Sequence, residues 1–376
     1  MLPITFRRIL HSFKSNHPAF WEGYVDQMVK TPKTVTVSLQ PRPRSPYQLL
    51  EMMKAVQPFD GVAWWEKDEN GNPRNQIAVG NAIAANEAFN LIPKKEQIMQ
   101  FRTYLTMNPP TLGFAYIDDE DCLRITDSGR EVTKPEGLQT LFMRQLLKWQ
   151  YPSCHHGGSG GKGPSNYPLR DIWKIHPFLC ALRLCLELEY LSKEEVAAFI
   201  VPMRRDDEVE NAIETIRDVR TRLEELRGAP RRALWHSTHL EAMRTAYREE
   251  IARGRYKKRQ SGTNTVEEML ETKLRNSNDY ADTMIRYFKF TGLFKTSSRT
   301  RRIVIDPLQE WKVKEILEDR ALFRFNGNID SREDYYRWFG NPSIPRLPWE
   351  DEIGYLSEIL FNLHRSGSIL EGGIEV

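Results

Sequence analysis

Guanidinium, ammonium and carboxamide side chains recur at helical spacing between residues 271 and 294, in the segment ETKLRNSNDYADTMIRYFKFTGLF. Arginine and lysine hold phosphate oxygens, and arginine also pairs bidentately with guanine, as asparagine does with adenine. The candidates for base edges are Arg275, Asn276, Asn278 and Arg286, and those for phosphates are Lys273 and Lys289. The chemistry that these residue types favour is recognition of nucleic acid.

The same segment contains a match to a metal-nuclease motif. Glu271-Thr272-Lys273 fits E-x-K by its letters, and Asp306 at the end of a predicted strand is a conceivable carboxylate partner. A helix is the wrong place for such a group, so we expect a solvated helical pair and not a catalytic site. Cys154-His155-His156 lacks the second ligand pair of a zinc site. We therefore expect neither catalytic nor metal-binding residues.

A long amphipathic helix must position the basic and amide side chains. Apolar residues fall on one stripe, comprising Leu270, Leu274, Ala281, Ile285 and Phe288. Polar residues lie roughly opposite, comprising Thr272, Arg275, Asn276, Asp279, Thr283 and Arg286. A break near Ser277 would divide this segment, so both one helix and two helices remain open.

An internal repeat frames this helix. Residues 113–127 (GFAYIDDEDCLRITD) and 292–306 (GLFKTSSRTRRIVID) each follow a helical segment, open with glycine and end in an alternating strand. This order predicts two winged helix-turn-helix units in a mainly α protein with small β wings. The first tip is acidic, whereas the second carries Arg299, Arg301 and Arg302, so we expect the second wing to contact a polyanion.

Two further segments carry candidate contacts. Pro41 to Pro46, PRPRSP, is an extended segment, and it is either a linker or an arm that brings Arg42 and Arg44 to a DNA groove. Residues 138–149, LQTLFMRQLLKW, form an amphipathic helix ended by Tyr151-Pro152. Solvated helix end and DNA contact remain alternatives for its polar residues Arg144, Lys148, Gln150 and Tyr151.

Composition bounds the class of protein. The 376 residues have a formal charge of +3, but residues 253–302 contain thirteen Lys or Arg and five Asp or Glu, a local balance of +8. The four cysteines show no C-x-x-C spacing and no disulfide-rich pattern, which favours a reducing cytoplasm. No apolar run approaches the roughly 20 residues of a membrane span. We expect a cytoplasmic protein with no membrane partner.

Five blocks in register over most of the chain resemble the AlwI-type restriction endonucleases, which comprise type IIS enzymes and strand-nicking relatives. The blocks are RPRSP at 42–46, LRITDSG at 123–129, FMRQLLKWQYPS at 142–153, ETKLRNSNDYADTMIRYFKFTGLF at 271–294 and YYRWFGNPSIP at 335–345. The resemblance implies sequence-specific binding of double-stranded DNA by winged-helix subdomains. It also implies a C-terminal PD-(D/E)-x-K nuclease domain that uses Mg²⁺.

The resemblance divides the chain as follows. We expect an N-terminal extension at 1–40, a first winged-helix subdomain at 41–153, a glycine-rich linker at 154–168, a second subdomain at 169–345 and the start of a helical linker at 346–376. This leaves no room for the nuclease domain, so we expect a chain that binds no cofactor and does not cut alone. A separate nuclease subunit, a standalone winged-helix regulator and a protein-binding scaffold remain alternatives.

Overall fold

The computed structural model describes residues 35–89, 105–134, 136–154, 174–254, 256, 265–296, 302–318, 323–329, 331–350, 356, 360 and 361. Its α-helices are α1 Pro46–Val56, α2 Arg74–Ala85, α3 Asn108–Thr111, α4 Asp127–Glu131, α5 Leu138–Lys148, α6 Pro177–Leu188, α7 Lys193–Glu195, α8 Val209–Glu224, α9 Gly228–Ala246, α10 Arg248–Ala252, α11 Val266–Phe290, α12 Glu310–Glu318 and α13 Arg332–Phe339. Its strands are β1 Ala115–Ile117, β2 Leu123–Ile125, β3 Phe294–Thr296 and β4 Ile303–Ile305. This part of the chain is therefore mainly helical with small β elements, as predicted.

Both repeats form the predicted hairpins. β1 pairs antiparallel with β2, and β3 pairs antiparallel with β4. Gly113 and Gly292, which open the repeats, have φ values of +75° and +78°, a region that glycine enters without steric cost. A β-carbon on Gly292 would lie 2.7 Å from Nε2 of Gln139, an exposed side chain that can move aside, so the positive φ is what favours glycine there.

Each hairpin gains one bridge from an earlier segment of the chain. Ala63 bridges Cys122 beside β2, and Leu191 bridges Ile303 of β4. The Leu191 bridge consists of two backbone hydrogen bonds, of 2.8 and 2.9 Å. In both repeats the bridging segment lies on the second hairpin strand, so the order across the sheet is the same.

α11 is one continuous helix of 25 residues. It begins with a capping box in which the Thr265 hydroxyl accepts from Glu268 N and the Glu268 side chain accepts from Thr265 N. Ser277 does not interrupt it, because its hydroxyl bonds to the Leu274 carbonyl at 2.8 Å and lies 2.7 Å from His239 Nε2. Of the two possibilities left open by the sequence, the single helix is the one that forms.

One hydrophobic core runs through both repeats and extends from Val35 to Trp349. The residues just before the PRPRSP segment belong to it, since Val35, Val37 and Leu39 are buried and Val37 N donates to Val201 O at 2.8 Å. The predicted glycine-rich linker at 154–168 lies almost wholly outside the described residues. Within the described chain, none of the helices has the length and apolar character to cross a membrane.

Candidate nucleic-acid interface

An exposed face of α11 carries the charged residues that the sequence singled out. Arg275, Asp279, Asp282, Arg286 and Lys289 recur at intervals of three and four, which places them on one side of a helix. All five are exposed except Asp282, which is half-buried. From Arg275 to Lys289 the face runs about 21 Å along the helix axis at 1.5 Å per residue.

The opposite side of α11 packs into the protein. Met284, Tyr287 and Phe288 are buried, and the ring of Tyr287 contacts Phe142 of α5 edge-on, with centroids 5.8 Å apart. Phe288 lies 5.1 Å from Phe178 of α6. Because apolar contacts to α5 and α6 fix the helix, its exposed side chains project from a rigid support.

The PRPRSP segment, Pro41 to Pro46, lies against α11 and is here called the basic arm. Its Pro43 carbonyl accepts hydrogen bonds from Tyr287 Oη of α11 at 3.2 Å and from Asn108 Nδ2 of α3 at 3.2 Å. Asn108 is fully buried and also exchanges two hydrogen bonds with the backbone of Gln40, of 2.8 and 2.9 Å. The arm is thus held between α3 and α11.

Arg44 of the basic arm and Arg286 of α11 meet at one carboxylate. The Asp282 carboxylate lies 3.0 Å from Arg286 Nε and 3.9 Å from Arg44 Nε. Both guanidinium groups remain about half exposed, at 49% of each side chain. Two segments more than 200 residues apart therefore place cations side by side, and contact of the arm with DNA stays a prediction.

The other predicted residues of α11 differ in their availability. Asn276 and Asn278 are half-buried, and Asn278 Nδ2 donates to the Leu274 carbonyl at 3.0 Å. Lys273 lies over the ring of Tyr247 at 4.9 Å, and burial lowers its pKa to about 8. Arg275 and Lys289 are exposed. Of the predicted positions on α11, Arg275, Arg286 and Lys289 are thus the exposed ones.

Four predicted contacts around the end of α5 serve the protein interior instead. Lys148 is fully buried, and its ammonium donates to the carbonyls of Phe339 and Asn341 at 2.8 and 2.7 Å. Burial lowers the pKa of Lys148 well below its usual value. Arg144 is mostly buried, donates to the Pro342 carbonyl at 2.7 Å and pairs with Glu350.

Gln150 and Tyr151 complete this set. Gln150 Oε1 accepts from Phe325 N at 2.9 Å, and the buried hydroxyl of Tyr151 accepts from Ser38 N at 3.2 Å. With Lys148 they lack the exposure that contact with a duplex requires. Burial removes these three from the DNA contacts that the sequence predicted. Lys148 fastens residues 339–341 to α5, Gln150 holds Phe325 and Tyr151 holds Ser38.

The second wing is described only at its base. Arg299 and Arg301 lie outside the described residues. Arg302 is half-buried, and its guanidinium lies 3.9 Å from the centroid of the Tyr190 ring, which also packs against Arg220 at 3.6 Å. Cation–π contacts of this kind hold an arginine in place without removing its charge.

The acidic tip of the first wing is closed by its own side chains. The Asp118 carboxylate accepts from Glu120 N at 3.0 Å and Cys122 N at 2.7 Å, and it pairs with Arg124. Asp118, Glu120 and Cys122 have ligand-type atoms within 4.8 Å of one another. Because these interactions occupy the Asp118 oxygens, the geometry indicates a structured turn and gives no argument for a metal.

The E-x-K match does not form the predicted alternative, a carboxylate site for Mg²⁺. Glu271 pairs with His236 at 2.9 Å, while Asp306 pairs with Lys295 at 2.8 Å. Asp306 lies just beyond the C-terminal end of α11, where its N–H donates to Leu293 O. Glu271 lies about 28 Å from that end of the helix at 1.5 Å per residue. These residues do not fit a magnesium centre, because its ligands must lie within about 2 Å of one ion.

Sequence reasoning missed Asn108, Asp282 and Tyr287 as parts of this interface. Asn108 stands in MNPPT before the first repeat, where only the two following prolines mark the position as special. The acidic residue and the tyrosine belong to the 271–294 block, but neither has a residue type that signals DNA contact. All three residues contact the basic arm, and the periodicity of the sequence does not predict where the arm lies.

Comparison with known proteins places the chain among restriction enzymes. The model of the AlwI restriction endonuclease family matches residues 110–369, well over half of the chain. The chain belongs to this family, as the five sequence blocks predicted.

Two further comparisons give less. No curated protein matches the chain. A solved structure of pyrene- and phenanthrene-modified DNA in complex with the BpuJ1 endonuclease binding domain is similar, with a TM-score of 0.45 and 12% identity over 78% of this chain and 91% of that chain. A likeness at this level indicates neither a shared fold nor a shared function.

Proposed function

We propose that the chain recognises duplex DNA by sequence, as the binding part of a type IIS or nicking restriction endonuclease. The observation that carries this proposal is the convergence of Arg44 and Arg286 on Asp282 at the exposed face of α11. A rigid helix flanked by an arginine-bearing arm combines a base-reading element with phosphate-holding cations. The family of the chain supplies the context.

We further propose that both repeats are winged-helix subdomains. In the subdomain of the second repeat, α6 precedes the Leu191 bridge and α7 follows it. Later in the same subdomain, α11 leads directly into the hairpin β3–β4. In the first repeat α1, the Ala63 bridge and α2 occur in the same order before β1–β2. This order supports the proposal and gives α11 the place of the second recognition helix.

The dimensions of α11 suit a major groove. That groove is about 12 Å wide and admits one α-helix with its side chains. The exposed face of about 21 Å spans roughly six base pairs at 3.4 Å per pair. We propose that Arg275, Arg286 and Asn278 read base edges, with Arg44 and Lys289 on the flanking phosphates.

Cleavage is assigned to residues other than the described E-x-K segment. We propose that Mg²⁺-dependent phosphodiester hydrolysis belongs to a nuclease centre outside the described residues, either in a C-terminal domain or in a separate subunit. No step is derived through the metal. A cytoplasmic location remains part of the proposal, in keeping with four free cysteines.

Salt dependence tests the DNA-binding proposal. Contacts to about five phosphates give a slope near −4.5 for log K against log salt, so affinity falls several hundredfold between about 0.05 and 0.2 M salt. Fluorescence anisotropy on short duplexes, first enriched from a random-sequence pool by binding to the full chain, measures this slope. A flat response on both the enriched and the random duplexes contradicts the proposal and favours a protein-binding scaffold.

A further inference from the structure

Tyr47 is a large aromatic side chain that the fold leaves in solvent. It is 65% exposed, although it stands at the start of α1 beside Pro46, which is buried. Exposing an aromatic ring forgoes the favourable burial of apolar surface, and tyrosine is enriched where proteins bind partners. The exposed part of the Tyr47 ring is therefore available for contact with a partner.

The ring of Tyr47 is nevertheless held in place on one side. It contacts Phe290 edge-on with ring centroids 5.2 Å apart, and Phe290 in turn contacts Phe142 at 5.1 Å. Phe142 is fully buried in α5. This chain of aromatic contacts ties an exposed ring to the core, so the ring projects with limited freedom and loses little entropy on binding.

The surroundings of Tyr47 are the cations of the candidate interface. Phe290 lies one helical turn after Arg286 and directly follows Lys289, and Tyr47 stands three residues after Arg44. The backbone that joins Arg44 to Tyr47 is fixed by the N-cap, in which the Ser45 hydroxyl accepts from Gln48 N, and by Gln48 Oε1, which accepts from Arg44 N at 3.0 Å. The arm and the start of α1 thus present Arg44 and Tyr47 as one unit.

We propose that Tyr47 is a DNA-contacting residue that fixes the register of the duplex on α11. The ring covers deoxyribose beside the groove, and its hydroxyl donates a hydrogen bond to a backbone phosphate next to the phosphate held by Arg44. The inference rests on the proposed DNA binding and deepens it, because it adds a neutral contact at the edge of the interface. Duplex DNA is favoured over an acidic protein partner because the neighbouring cations follow a helix face of groove dimensions.

A neutral contact has a signature that separates it from a charged one. Removal of an arginine–phosphate contact lowers the affinity and also reduces the salt slope by about 0.9, because one fewer counterion is released. Removal of a tyrosine contact lowers the affinity and leaves the salt slope unchanged. The arginine variants therefore test whether DNA binds at this face, and the tyrosine variants test whether Tyr47 contacts that DNA.

The test uses the full chain, the enriched duplex and anisotropy titrations at several salt concentrations. Tyr47→Ala is expected to weaken binding about tenfold, and Tyr47→Phe about threefold through loss of the hydroxyl. Neither changes the salt slope. Trp65→Ala is the matched control, because Trp65 is also an exposed aromatic, at 41%, but stands among acidic residues. It is expected to bind like the unaltered protein.

The outcomes separate cleanly. If Arg44→Ala weakens binding and flattens the slope, and Arg286→Ala weakens binding to the enriched duplex, but Tyr47→Ala binds normally, the Tyr47 inference is wrong and the DNA-binding proposal stands. If neither arginine variant changes binding, the proposed interface itself is wrong. Far-ultraviolet circular dichroism and urea unfolding confirm that each variant is folded, and Tyr47→Phe keeps the ring contact with Phe290 where Tyr47→Ala destabilises the arm.

Discussion

The buried ammonium of Lys148 donates to the carbonyl oxygen of Phe339 at 2.8 Å and so joins two segments that are 191 residues apart. Gln145, one turn earlier on α5, donates to the same carbonyl at 2.8 Å. The blocks FMRQLLKWQYPS and YYRWFGNPSIP, both part of the resemblance to the family, are thus direct partners in space. The polar side chains of Gln145 and Lys148 hold the backbone of residues 339–341 in place.

Replacement of Lys148 is therefore expected to reduce stability. Lys148→Ala removes the ammonium donor of the Asn341 carbonyl, leaves Gln145 as the donor to the Phe339 carbonyl and opens a cavity, so the free energy of unfolding falls by about 3 kcal/mol. Lys148→Met keeps the packed stem and is expected to cost less. Urea unfolding measures both, with the exposed Lys134→Ala as control at within about 0.5 kcal/mol. A Lys148→Ala protein of unchanged stability contradicts the role assigned to this ammonium.

Acid is expected to destabilise the contact between α9 and α11. Burial lowers the pKa of His239 to about 4, below its ordinary 6.5, so the unfolded chain binds the proton first. The stabilisation is complete above about pH 6.5 and is lost as the pH falls towards 4, by about 2 kcal/mol between about pH 7 and about pH 5. Urea unfolding of His239→Asn, which does not titrate, is expected to lack this loss. The exposed His236→Asn is the control and retains most of it.

Neutralising Asp282 is expected to strengthen DNA binding. This carboxylate occupies Arg44 and Arg286 in the free protein, and it repels phosphate. With Asp282→Asn the salt slope becomes steeper by about 1, and affinity at about 0.05 M salt rises severalfold. Asp218→Asn, which removes an exposed partner of Arg222 on α8, serves as control. Weaker binding by Asp282→Asn contradicts the placement of the interface.

The two wings are expected to respond unequally to substitution. Arg299→Ala, Arg301→Ala and Arg302→Ala together weaken binding to enriched and random duplexes alike, because a wing contacts mostly backbone. Asp119→Asn with Glu120→Gln on the first wing changes little or strengthens binding slightly, and it spares Asp118, which closes the turn. Anisotropy on both duplexes compares the sets. A silent second wing together with an essential first wing reverses the assignment.

The pairing of Glu271 with His236 predicts that the E-x-K match takes no part in catalysis. Glu271→Ala removes the partner of His236 on α9 and leaves the exposed face of α11 intact. Plasmid nicking or cleavage in Mg²⁺, whatever its level in the unaltered protein, is therefore expected to be the same in the variant. Loss of a cleavage activity that copurifies with the unaltered protein places a catalytic carboxylate at Glu271.

Local patterns determined the elements themselves. Glycine at 113 and 292, alternating strands after a polar tip, and the apolar stripe of residues 270–288 identified two hairpins and the helix α11, because backbone freedom and burial periodicity are properties of neighbouring residues. The family also followed from the sequence, since its five blocks occur in order. The charged residues Arg275, Asp279 and Arg286 of α11 were correctly placed on one exposed face for the same reason, whereas Thr283, which was placed with them, is buried.

Tertiary structure decided which polar faces stay in solvent. The period of α5 shows that Lys148 lies away from the apolar stripe, but it does not show that residues 338–342 cover that side and bury the ammonium. Similarly, the prolines of PRPRSP predicted an extended segment but not its location in the fold. That location depends on Asn108 and Tyr287, which donate hydrogen bonds to Pro43 O. Periodicity shows which residues share a face of one helix. Which face another segment buries, and which segments lie side by side, depends on contacts between distant parts of the chain.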